Sequence, residues 1–181
     1  EHYRAVAGAV DCPVIIYNVP GRTASNVLPE TVLTLAEIEN ITGVKEASGD
    51  VDQVMTLIRE RPEGFTILSG DDALTFPLLA AGADGVISVV ANLAPALMSQ
   101  MVETALGGDY EGARELHYRL LPLMRAIFVE TNPIPVKAAL EIMGHRQAHY
   151  RLPLVRPSAE VETFLRSALI NAGLLDAGGA T

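Results

Sequence analysis

The chain has 181 residues, enough for one well-buried domain, and 49% of them are apolar. Its formal net charge is −9, carried by 22 Asp and Glu against 13 Lys and Arg. No basic cluster occurs and Trp is absent. That excludes the grouped cations that neutralise phosphates and the aromatic platforms that stack bases, so no nucleic acid partner is expected. No apolar run is long enough to span a bilayer, so no membrane is expected either.

The first ninety residues alternate between short apolar runs and helical patterns. PVIIYNV (13–19) reads as a strand bounded by prolines. PETVLTLAEI (29–38) has helical spacing, with Val32, Leu35 and Ile38 on one face and Pro29 in the first turn. ITGVKEAS (41–48) is strand-like. DVDQVMTLIRERP (50–62) is helical, with Asp50 at its start and Pro62 as a stop. FTILSG (65–70) is a strand, DDALTFPLLAAGA (71–83) a helix that Pro77 is expected to bend, and GVISVV (85–90) a last strand. The order β-α-β-α-β-α-β implies parallel strands covered by helices.

Beyond residue 94 the pattern is helical throughout: 95–108, 109–130, 134–144 and 158–175. Gly107, Gly108 and Gly144 are helix stops, and Pro122 is expected to kink the second of these helices. The boundaries are therefore 1–94 for four βα strands, 95–175 for helices and 176–181 for a flexible tail of small residues. Four parallel strands suit either half of a (β/α)₈ barrel or a small open sheet; periodicity does not decide.

Cys12 is the sole cysteine, so no internal disulfide and no Cys-based zinc site can form. Its position beside a strand start suggests a small buried hydrophobe. The four histidines show no HExxH pattern, and His145 and His149, though four apart, follow Gly144. No metal site is expected. No signal peptide is visible. The chain opens on Glu1 in a helix-like stretch without an initiator Met, as a fragment or a processed or partly read chain would.

Ligands in parallel α/β folds bind beyond the C-terminal strand ends. There the sequence places Tyr17 and Asn18, then Arg22; Lys45 and Glu46; Ser69 and Gly70; and Ile87. Only two lysines occur, and Lys45 ends a strand where burying a charge is costly. An apolar pocket favours the neutral amine, a nucleophile toward carbonyls that gives a Schiff base. The protonated imine is an electron sink that acidifies the neighbouring carbon. A tyrosine nearby can relay protons, and an arginine can grip a carboxylate in fork geometry. These groups describe a keto-acid aldolase. Each also has a structural alternative. Lys45 could form an ion pair, although adjacent strand residues face opposite ways and a bridge to Glu46 is geometrically poor. Tyr17 could pack its ring in the core, and Arg22 could be a solvated loop charge.

YNVPGRT (17–23), GVKEASGD (43–50), LSGDD (68–72), GVISV (85–89) and NPIPVK (132–137) together resemble, in order and spacing, the signatures of the dihydrodipicolinate synthase family. This is a branch of the pyruvate-dependent class I aldolases, which include N-acetylneuraminate lyase. The resemblance runs over essentially the whole chain. It implies the C-terminal half of a (β/α)₈ TIM barrel, with these strands as its fifth to eighth, followed by a C-terminal helical extension. It implies condensation of pyruvate with aspartate semialdehyde in lysine (diaminopimelate) biosynthesis, in the cytoplasm, by a homotetramer.

In the same resemblance Lys45 matches the imine-forming lysine and Tyr17 the proton-shuttling tyrosine. Arg22 matches the arginine that holds the aldehyde's carboxylate. Gly70 and Ile87 match positions whose backbone lines the pyruvate pocket. Asn132 and Lys137 fall in a stretch read as structural. No cofactor is implied beyond the covalent imine on Lys45. The family's first four βα units, with its paired threonines and a second tyrosine, are not in this sequence. The chain alone is therefore expected to be inactive, with open strand edges at 13–19 and 85–90. A sibling aldolase acting on sugar acids and a non-catalytic half-barrel module stay open as alternatives. A phosphate- or nucleotide-binding domain is disfavoured, since no GxGxxG or GxxxxGK follows any strand.

Overall fold

A computed structural model of the chain describes residues 1–176. The chain divides into two compact units, Glu1–Ile87 and the segment from Ser88 onward. All but the first residue of the tail expected at 176–181 lies outside the described residues.

The first unit opens with helix α1 (His2–Ala7) and holds one sheet of four parallel strands. These are β1 (Val14–Asn18), β2 (Ile41–Glu46), β3 (Thr66–Ser69) and β4 (Gly85–Val86), in spatial order β1-β2-β3-β4. The connections carry α2 (Pro20–Thr23), α3 (Pro29–Leu35), α4 (Val51–Glu60) and α5 (Thr75–Ala81). β-branched residues favour the extended strands, and their alternation sets two faces. Ile16, Val44 and Ile67 point to the helix side and form the core with Val32, Leu35, Val54, Leu57 and Leu78. Ile15 and Tyr17, of opposite parity on β1, are exposed on the other face. β1 and β4 are the sheet's edges, at the two places expected from the sequence.

Boundaries contract where side chains compete for the backbone. Asp50 caps α4 by accepting from the N–H groups of Asp52 and Gln53, at 3.0 and 3.1 Å. Asp71 Oδ1 accepts from Ala73 N and Leu74 N, holding residues 72–74 in a turn. The helix expected from 71 therefore begins at Thr75. Pro77 then lies in the first turn, where its missing N–H breaks no internal bond, and no bend is required of it. β4 is shorter than 85–90, because Val90–Asn92 winds into a 3₁₀ turn. Cys12 is exposed rather than buried: it lies in the bend before β1, outside the alternating pattern.

The second unit is helical: α6 (Pro95–Leu106), α7 (Tyr110–Ala126), α8 (Ile134–Ile142) and α9 (Ala159–Ala172). Its α7 packs against α6 and α9, burying Met101, Leu120, Leu123, Met124, Leu165 and Leu169. Pro122 is inside α7, which continues through it to Ala126. Arg119 donates to the carbonyl of Ala172 from Nε (3.1 Å) and Nη2 (2.8 Å), satisfying an otherwise unpaired acceptor at the end of α9. Lys137 donates from Nζ to the carbonyl of His149 at 2.7 Å, a structural tie within this unit. Among the described residues no helix is long and apolar enough to cross a membrane.

Candidate active site

Register brings the chemistry together. Tyr17 pairs with Lys45, Lys45 with Leu68 and Leu68 with Gly85, so these four form one row across the sheet. Paired residues of a parallel ladder share a face, and Tyr17 and Lys45 stand side by side on the face away from the helices. Lys45 Nζ lies 4.1 Å from the centroid of the Tyr17 ring. That is cation–π range, a contact that holds the Lys45 terminus against the ring. Tyr17 is 49% exposed, so its ring is not packed in the core. Lys45 is half-buried, on the face opposite the helix-side core of its own unit.

Glycines let β2 and β3 approach closely, and Gly70 does so beside Lys45. A Cβ on Gly70 would stand 2.7 Å from Ala47 Cβ, 3.1 Å from Lys45 Cε and 3.2 Å from the Glu46 carbonyl oxygen. The backbone can approach so closely only because Gly70 has no side chain. Its N–H donates to that Glu46 oxygen at 2.7 Å, prolonging the β2–β3 ladder past Ser69. Gly43, two residues before Lys45, is equally constrained: a Cβ there would lie 2.6 Å from the Thr66 carbonyl oxygen. The Ile87 N–H donates to the Ser69 carbonyl at 2.9 Å. The N–H groups of Gly70 and Ile87 are thus taken by the sheet.

Arg22 sits in α2, on the loop that leaves β1, and is exposed. Its guanidinium makes no ion pair among the described residues. The structure therefore joins Tyr17, Lys45 and Gly70 directly and places Arg22 on the adjoining loop. Ile87 follows β4, which lies beyond β3 from Lys45.

Glu46 was the least expected feature. It is 2% exposed, on the helix side, turned away from Lys45 as strand parity requires. It pairs with no cation among the described residues and instead accepts from Asn18 and Gln53 side chains and from Ser48 N. The sequence signal was the Asn18–Glu46 pairing, hidden until the register is known.

The model of the dihydrodipicolinate synthetase family matches residues 1–172. The chain belongs to the dihydrodipicolinate synthetase family. Among its relatives, the 4-hydroxy-tetrahydrodipicolinate synthase of Methanopyrus kandleri is 54% identical over 98% of the chain and 60% of that protein. The crystal structure of dihydrodipicolinate synthase from Thermotoga maritima is 47% identical, with a TM-score of 0.93 over 96% of this chain and 60% of that one. The chloride-inhibited dihydrodipicolinate synthase from Acinetobacter baumannii, complexed with pyruvate, is 43% identical over the same shares, again with a TM-score of 0.93. The chain spans about 60% of the length of these relatives. Its four parallel βα units and following helices are the C-terminal half of the family's (β/α)₈ barrel with its helical extension.

Proposed function

We propose that the chain is the nucleophile-bearing part of a Schiff-base 4-hydroxy-tetrahydrodipicolinate synthase, condensing pyruvate with aspartate semialdehyde in lysine biosynthesis. The observation that carries this reading is Lys45. It stands at a C-terminal strand end against Tyr17, with a half-exposed amine that no carboxylate neutralises among the described residues. An ion-paired structural lysine would have such a carboxylate within reach.

In this reading Lys45 Nζ, as the free amine, attacks the keto carbon of pyruvate. A C–N bond forms, and the keto oxygen leaves as water after taking up protons relayed by the Tyr17 hydroxyl. The iminium draws electrons from the neighbouring methyl carbon, which loses a proton to give an enamine. That carbon then attacks the aldehyde, forming a C–C bond while the aldehyde oxygen takes a proton. The amino group of the condensed semialdehyde then attacks the imine carbon; the ring C–N bond forms as the C–N bond to Lys45 breaks, and the proton lost by the attacking amine passes to Lys45 Nζ, freeing it for the next turnover. Gly70 keeps the space next to the Lys45 stem, and Ile87 borders the same end of the sheet. The reaction needs no cofactor beyond the imine itself.

Arg22 is the group for the carboxylate of the semialdehyde, supported by its exposed guanidinium, which makes no ion pair among the described residues, on the loop after Tyr17. Arg22→Ala is expected to raise KM for the semialdehyde about 10- to 100-fold, the equivalent of one charged hydrogen-bonded pair. Pyruvate trapping on Lys45 should survive. Cleavage of sugar acids without turnover of the semialdehyde would transfer the reading to a sibling aldolase.

The activity belongs to a closed barrel. Tyr17 and Ile87 are both exposed, and among the described residues β1 and β4 each pair with one strand only, which leaves an open edge on either side of the sheet. The purified 181-residue chain should show no turnover with pyruvate and the semialdehyde. A steady-state rate matching that of the barrel-complete protein would contradict this.

A further inference from the structure

The reaction above uses one face of the sheet, yet a buried acidic side chain, Glu46, lies on the other. Glu46 Oε1 accepts from Ser48 N at 2.7 Å and Asn18 Nδ2 at 3.2 Å. Its Oε2 accepts from Asn18 Nδ2 at 2.9 Å and Gln53 Nε2 at 3.1 Å. Burying a carboxylate without a counter-charge is costly unless its lone pairs are filled, and here neutral donors fill them.

An acceptor-only carboxylate orients every amide around it. Asn18 must turn Nδ2 toward Glu46, which leaves Oδ1 to accept from Val27 N at 2.9 Å. Gln53 must turn Nε2 the same way, which leaves Oε1 to accept from Asn26 Nδ2 at 2.9 Å. Asn26 Oδ1 closes the ring by accepting from Asn18 Nδ2 at 2.8 Å and Gln53 Nε2 at 3.3 Å. Four side chains from β1, the following loop, β2 and α4 are thereby locked in one hydrogen-bonding pattern. The loop so held runs from Val19 to Asn26 and carries Arg22. It leaves the sheet at Asn18 and is tied back to Asn18 through Asn26 and Val27.

We propose that Glu46, Asn18, Asn26 and Gln53 form a positioning device that fixes the Arg22 loop relative to Lys45, and so sets capture of the second, carboxylate-bearing substrate. Glu46 adjoins the nucleophile in sequence and directs the loop from behind the sheet; it touches no substrate. This inference rests on the roles proposed above for Lys45 and Arg22.

The test compares Asn26→Ala and Glu46→Gln with wild type in the barrel-complete protein. Asn26 is exposed, so its replacement leaves the core intact even if Glu46→Gln does not fold. Backbone amide exchange over residues 20–27 should speed up by about tenfold in Asn26→Ala, as local opening of a released loop does, with exchange in β3 unchanged. KM for the semialdehyde should rise about tenfold, as loss of a well-made hydrogen bond implies, while KM for pyruvate and borohydride trapping stay near wild type. Unchanged exchange over 20–27 would overturn the proposal. So would a released loop with an unchanged semialdehyde KM, or both KM values rising together, the mark of a merely structural network. Absence of a pyruvate adduct in wild type would defeat the functional reading instead, and exchange would still decide whether the ring holds the loop.

Discussion

Replacing Lys45 with arginine should lower kcat/KM by at least about 10³-fold, roughly 4 kcal/mol of barrier. The substitution is chosen to isolate chemistry from folding. Arginine keeps the charge and can still lie over the Tyr17 ring, where Lys45 Nζ now sits at 4.1 Å. It cannot form an imine, because its guanidinium remains protonated and is not a nucleophile. Lys45 is half-buried and makes no ion pair among the described residues, so unfolding stability should move by less than about 1 kcal/mol. Thermal unfolding and steady-state kinetics on the same preparation separate the two effects. An arginine variant with near wild-type turnover would remove Lys45 from the chemistry.

Gly70→Ala should damage both fold and catalysis. Of the three atoms a Cβ would meet, Ala47 Cβ and the Glu46 carbonyl oxygen belong to the backbone or are fixed to it, and only Lys45 Cε is on a flexible stem. Relief comes from parting the ends of β2 and β3, which loses the 2.7 Å bond from Gly70 N to the Glu46 carbonyl, or from swinging the Lys45 stem away from Tyr17. The first route costs about 1–3 kcal/mol, the usual range for overpacking. The second moves the nucleophile by the order of 1 Å, enough for about a 10²-fold loss in rate. A drop in melting temperature together with the kinetic loss is the expected result. A variant with unchanged melting temperature and kcat/KM would show that the close approach is not what the site depends on.

Much of the site was legible because strand parity and register are simple. Tyr17 and Lys45 are strand-end residues of two parallel neighbours, and parallel pairing aligns them on one face. The same parity rule separated Lys45 from Glu46. The role of Glu46 was not legible, since it depends on Asn18 lying opposite it and on Gln53, a turn into α4, reaching back to it. Local periodicity carries no such information. The exposure of the Lys45 face was not legible for a related reason: strand composition does not tell the helix-side face of Ile16, Val44 and Ile67, which is buried, from the face of Ile15 and Tyr17, which is exposed in the described residues. The end of the fourth strand and the start of α5 were misjudged by a few residues. There Val90–Asn92 winds into a 3₁₀ turn and Asp71 captures the N–H groups of Ala73 and Leu74. Composition around Asp71 reads equally well as a first helical turn.

Everything proposed for this site depends on Lys45 forming an imine with pyruvate. Incubation of the barrel-complete protein with pyruvate and borohydride, followed by peptide mass spectrometry, tests it most directly. A single reduced pyruvate adduct is expected on the peptide carrying Lys45, blocked in Lys45→Arg and retained in Arg22→Ala. No adduct on Lys45, or an adduct on Lys137 instead, would contradict it.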